Sequence, residues 1–144
     1  MAGDSVRAAF RSRLATHRAA AGVAWAIKDT DNTGDNPDAS APYLELEFPG
    51  GAPTSQYTSG NPGNNFHEEV GQVTLRVVTP LGSNRDTAEE YAEALRMKFI
   101  ADRIPYATNR AIKILGASPI SDGHTEGGMY AYSVMLSYRV YLVA

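Results

Sequence analysis

GMYAYSVMLSYRVYL, residues 128–142, places Tyr130, Tyr132, Val134, Leu136, Tyr138, Val140 and Leu142 on every second position. A 3.6-residue period would scatter these side chains around a helix, whereas a period of two puts them all on one face of a strand. At about 3.3 Å per residue such a strand spans about 45 Å. Strands usually stop near about 10 residues, so this one is expected either to bend or to run past its own sheet. A strand of that kind suits a subunit that shares surfaces with its neighbours.

Working outward, residues 70–80 alternate as well, with Val73, Leu75 and Val77 on one face and Gln72, Thr74 and Arg76 on the other, before Pro80 and Gly82 break the pattern. Residues 43–48 put Leu44, Leu46 and Phe48 on one face and Tyr43, Glu45 and Glu47 on the other, which reads as a half-buried strand. Two helices are expected. Asp4 or Ser5 caps the first, whose stripe is Val6, Ala9, Phe10, Arg13, Leu14 and His17, and Gly22 ends it. Asp86 followed by Glu89 opens the second, where Ala88, Tyr91, Ala92, Leu95 and Phe99 trace an apolar stripe ending before Pro105. Residues 23–27 form a short apolar piece and 111–115 a short strand, while 118–128 read as loop. Residues 29–42 and 49–69 are polar and rich in Asn, Gly and Pro. The second of these has room for a strand at 56–59 and a turn at 60–65. The expected fold is α+β: one domain, residues 1–144, a two-layer sandwich of mainly antiparallel sheet with both amphipathic helices on one face.

Composition narrows the function. The 144 residues are 43% hydrophobic and carry a formal net charge of -3, so no basic footprint suggests a grip on nucleic acid. Cysteine is absent, which removes disulfides, thiolate metal sites and cysteine nucleophiles. No window approaches the roughly 18 apolar residues of a membrane span, and no apolar leader follows Met1; the chain is expected to be soluble and unprocessed.

Little in the sequence points to chemistry. His17, His67 and His124 are far apart and read as ordinary exposed histidines, since a zinc site needs three or four converging ligands. Ser121, Asp122 and His124 are the residue types of a hydrolytic triad, but within one loop they read as a polar turn. Asp29, Asp31, Gly34 and Asp35 echo the start of a calcium loop, yet Ser40 stands where a bidentate Glu is needed and Thr33 replaces Asp or Asn. PGGAP and SGNPGNN lack the donors of a phosphate nest. No cofactor, metal or catalytic residue is expected. The cluster Arg7, Arg11, Arg13 and Arg18 reads as a solvated helix face or a salt-sensitive protein contact.

Taken in order, SVRAAFRSRLAT, Trp25, PYLELEF, VGQVTLRVVTPLGSNRDTAEEYAEALRMKFI and GGMYAYSVMLSYRV resemble the small tail-terminator, or tail-completion, proteins of long-tailed bacteriophages and gene-transfer particles. The Asp/Asn insertion after Trp25 departs from that pattern. The resemblance implies a structural virion protein of the tail or neck, assembled in the bacterial host cytoplasm. It would form a homo-oligomeric ring, commonly a hexamer, that caps the tail tube, ends its polymerisation and offers the head-joining surface. Partners would be the tail-tube protein and a head-completion or connector protein. DNA would pass through the lumen without specific binding, and no membrane is involved. Interface residues would be Arg7, Arg11, Gln56, Tyr57, Asn64, Asn65, Phe66, Tyr138, Arg139 and Tyr141. The segment 50–67 would serve as a mobile arm, and Asp29, Asp31, Asp35, Asp38, Glu68 and Glu69 would face the lumen. Open alternatives are a connector or other minor tail protein, a small ligand-binding or enzymatic α+β domain, and a calcium-dependent module.

Overall fold

The computed structural model describes residues 4–28, 41–48, 54–57, 66–82, 85–107, 110–119, 121–126 and 128–143. The alternating C-terminal stretch forms strand β8, Met129–Val143, and the earlier one forms β4, Phe66–Pro80, which begins four residues before the expected Val70. The two pair antiparallel along their whole length, from Phe66↔Val143 to Pro80↔Met129. The long strand therefore does not overrun its sheet, because an equally long partner satisfies its backbone throughout.

Each half of this ribbon takes a different outer neighbour. Strand β2, Tyr43–Glu47, lies against residues 74–78 of β4, and β3, Thr54–Tyr57, against residues 66–69. On the other side β6, Arg110–Ala117, pairs with residues 136–139 of β8, and β7, Ser121–Glu126, with residues 129–133. Strand β1, Ala26–Lys28, adds in parallel to β2, and β5, Arg103–Ala107, adds antiparallel to β6. The main path is thus β1-β2-β4-β8-β6-β5. Two strands replace expected irregular structure. Pro105 hid β5, but an edge strand tolerates a residue without an N–H. Polar SDGHTE hid β7, which pairs through its backbone; Ser121, Asp122 and His124 therefore lie in a strand rather than a turn.

The period of two builds one apolar face. Val73↔Leu136, Leu75↔Val134 and Val77↔Tyr132 stand opposite each other, Leu44 and Leu46 extend the rows into β2, and Ile112 and Ile114 continue them in β6. Helix α1, Asp4–Ala21, adds Val6, Phe10 and Leu14 to this core, and α2, Arg85–Phe99, adds Ala88, Ala92, Leu95 and Phe99. Both stripes are those expected from the 3.6-residue period. Gly22 ends α1 at φ 70°, with its N–H on the Ala19 carbonyl (3.2 Å) and that of Val23 on the Arg18 carbonyl (3.0 Å), a left-handed stop that glycine makes without strain. The α+β class holds. No helix among the described residues is long and apolar enough to cross a membrane.

On the opposite sheet face Glu45 is only 6% exposed although its position reads as solvent-facing. Arg76, its cross-strand partner, reaches Glu45 at 3.4 Å and Glu47 at 3.1 Å, and Lys28 adds a third contact at 3.7 Å. Arg76→Ala would leave the Glu45 carboxylate buried with only a partly exposed lysine nearby. It is expected to lower stability by about 1–2 kcal/mol, read as a shifted urea midpoint; an unchanged midpoint would show the pair to be idle.

Candidate functional site

Two buried polar clusters position the helices on the sheet. In the first, Arg13 and His17, four residues apart on α1, both meet Asp102 just beyond α2. Arg13 donates from Nε to Oδ2 (2.9 Å) and from a terminal nitrogen to Oδ1 (2.8 Å), and His17 Nε2 lies 2.7 Å from Oδ2. The Arg103 N–H closes the set on Oδ1 at 2.8 Å. Asp102 is aimed here by a turn in which Ala101 takes the left-handed conformation (φ 58°), which a non-glycine residue adopts only at some cost. The Arg13 hydrogen bonds hold the Asp102 carboxyl down at about 2, against burial and with help from His17. His17 is 9% exposed and meets Phe99 edge to face at 4.7 Å. Neither the exposed histidine nor the solvated Arg13 expected from sequence survives, because a partner more than eighty positions away occupies both.

In the second cluster the Tyr138 ring covers Gly71, its cross-strand partner, and packs edge to face on Phe10 at 5.3 Å. Its hydroxyl donates to Glu69 Oε1 at 3.1 Å. Burial, and then the neighbouring Glu69 carboxylate, push the phenol well above its ordinary value. Tyr138 is 1% exposed and Glu69 5%. Both were expected at a surface, one at an interface and one facing a lumen. The inward period of β8 and the bare backbone of Gly71 instead draw them into the core.

The remaining expected site residues divide by location. Glu68, Arg139 and Tyr141 come together on the outer face of the ribbon. Glu68 stands opposite Tyr141, Arg139 Nε lies 4.0 Å from Glu68, and its guanidinium sits 5.5 Å from the Tyr141 ring centroid. Arg7 and Arg11 lie over the Phe48 ring at 5.5 and 5.9 Å, and Arg18 donates to the Trp25 carbonyl at 3.1 Å. Gln56, Tyr57 and Phe66 belong to the β3–β4 pairing, so the described part of the expected arm is strand. Asn64, Asn65, Asp29, Asp31, Asp35 and Asp38, with the calcium-like loop, lie outside the described residues. One contact had no sequence signal: Arg85 lies 4.1 Å over the Tyr130 ring and donates to its hydroxyl at 2.7 Å.

These are the features of a small α+β protein whose polar clusters fasten helices to a sheet and whose charges mark its surface. Residues 5–138 match the family profile described as phage tail terminator protein. The chain belongs to that family and is a structural component of phage tails. One solved structure, whose title states no function, is 25% identical over 100% of this chain and 99% of its own, with a TM-score of 0.65. Another, titled as the virion of a native gene transfer agent particle, shares the fold at TM-score 0.50 and 16% identity, covering 89% of this chain and 86% of that one. A search of curated proteins returns no match.

Proposed function

We propose that copies of this chain form a closed ring, a hexamer by the resemblance, that caps the tail tube, stops its growth and offers the surface to which the filled head attaches. The family match across residues 5–138 carries this reading. Its partners are then further copies of itself, the tail-tube protein and a head-completion or connector protein, in the neck of a virion assembled in the host cytoplasm. DNA crosses the lumen without specific contacts, and the role is mechanical rather than catalytic. A ring needs two different, mutually complementary surfaces on each subunit. The outer ribbon face with Glu68, Arg139 and Tyr141 and the arginine side of α1 are surfaces we assign to such contacts.

Tails assembled without this protein test the role. Tubes of uncontrolled, greater length are expected in electron micrographs. Tubes of normal length with unattached heads would move the protein to the connector side of the neck and overturn the capping role.

A further inference from the structure

The two helices present rows of opposite charge. Helix α1 carries Arg7, Arg11, Arg13 and Arg18 against the single acid Asp4. Arg13 is turned inward to Asp102, whereas Arg7, Arg11 and Arg18 recur at i, i+4 and i+11 and so share one flank of the helix. Their contacts place this flank on the β1–β2 side of the sheet, over Phe48 and beside Trp25. Next to it, Ala8, Ser12, Ala15 and Ala19 are exposed and small, so another element can approach closely.

Helix α2 carries Arg85, Arg96 and Lys98, but the row on its outward face is acidic. Asp86, Glu90, Glu93 and Met97 recur at i, i+4, i+7 and i+11 on the face turned away from buried Ala88, Ala92, Leu95 and Phe99, and all four are exposed. Glu89 is exposed beside them, Met97 is 55% exposed and Ile100 just beyond is 41% exposed. Acids four residues apart repel one another along a helix, a cost that a facing row of cations removes. Glu93 also pairs with Arg96 of its own helix at 2.9 Å, so Asp86, Glu90 and the exposed apolar end of the row are what a facing basic surface with room for them would meet.

We infer that the α2 face Asp86–Glu90–Glu93–Met97 of one subunit docks against the arginine flank of α1, Arg7–Arg11–Arg18, of the next copy. The inference rests on the ring reading and names its contact. Arg7 and Arg11 on one helix and Asp86 and Glu90 on the other stand four residues apart, roughly 6 Å along a helix axis, so these two pairs of opposite charge meet in register, while Arg18 falls level with uncharged Met97. The α2 row points away from its own core while the α1 row lies on the β1–β2 side. The contact is thus head to tail between different surfaces, the arrangement that closes into a ring. Charge sets its register and the apolar end of α2 supplies the dry patch.

Charge exchange tests this. Arg7→Glu/Arg11→Glu and Glu90→Lys/Glu93→Lys are each expected to weaken self-assembly at least about tenfold. Assembly is read by native mass measurement with and without purified tube protein. The four-fold variant, with both rows inverted, is expected to recover it. Because the native chain has no cysteine, Ala15→Cys and Met97→Cys can be mixed under oxidising conditions, and the mixed 15–97 disulfide should exceed both like pairs. Normal assembly by both inverted proteins, or no recovery in the four-fold variant, overturns this contact while leaving the ring standing. A wild-type chain that stays monomeric even on the tube overturns the ring reading and the contact with it. Normal assembly together with loss of double-stranded DNA binding in Arg7→Glu/Arg11→Glu would reassign the arginine flank to nucleic acid and overturn the contact.

Discussion

Gly71→Val is expected to cost about 3 kcal/mol of stability, more than any surface change proposed here. A Cβ at this position would lie 2.6 Å from the Tyr138 Oη, 2.7 Å from Cζ and 2.9 Å from Cε1. The tip of a tyrosine normally swings aside, but this one is 1% exposed, lies against Phe10 and donates to buried Glu69. Moving it breaks that hydrogen bond and takes this donor from the buried Glu69 carboxylate, itself worth about 1–3 kcal/mol. Gly71→Ala should show most of the same penalty. Residues in contact do not act independently, so in a Tyr138→Leu background the cost of Gly71→Ala should fall below about 1 kcal/mol. Equal costs in both backgrounds, measured by denaturant unfolding, would show that the ring is not the obstacle.

The second large effect is at Asp102. Asp102→Ala removes the acceptor for Arg13, His17 and the Arg103 N–H together, and breaking such a part-buried ion pair is expected to cost about 3 kcal/mol. Arg13→Ala should cost less, about 1 kcal/mol, because Arg13 is partly exposed and two other donors remain. The pH dependence has a definite sign. The folded carboxyl sits at about 2, below its ordinary value of 3.8, so the folded state binds this proton more weakly than the unfolded chain does. Its contribution is complete above about pH 4 and is lost as pH falls toward about 2. Wild-type stability should therefore decline through that window more steeply than that of Asp102→Asn. Parallel curves would remove the carboxylate from the fold's acid sensitivity.

What the chain announces in advance is whatever depends on periodicity. The alternation of β8 and β4 and the stripes of α1 and α2 named most of the core, because burial on one face imposes a repeat that can be read from residue order alone. Strands β5 and β7 lacked that repeat: RIPYA carries a proline and SDGHTE carries no large apolar residue. Each is held by hydrogen bonds to a neighbour that local order does not reveal. The polar clusters were hidden for the same reason. Arg13 and His17 falling on an apolar stripe was a cue that the helix buries them, but nothing local pointed to Asp102. For Tyr138, the period of two gave the correct inward face, and only the expectation of a shared surface drew it outward; Glu69 reads as loop because the legible alternation begins at Val70.

The full-length marriage of β4 and β8 also has a kinetic side. The two strands are separated by α2 and three further strands, and joining segments so far apart must overcome a large closure entropy before any pairing rewards it. During synthesis, β4 waits with its β8 side unpaired until β8 leaves the ribosome. Its valines and Leu75 then lie open to neighbouring nascent chains, so overproduction in the cold, where translation slows relative to chaperone encounter, should favour recovery of the intact subunit over inclusion bodies.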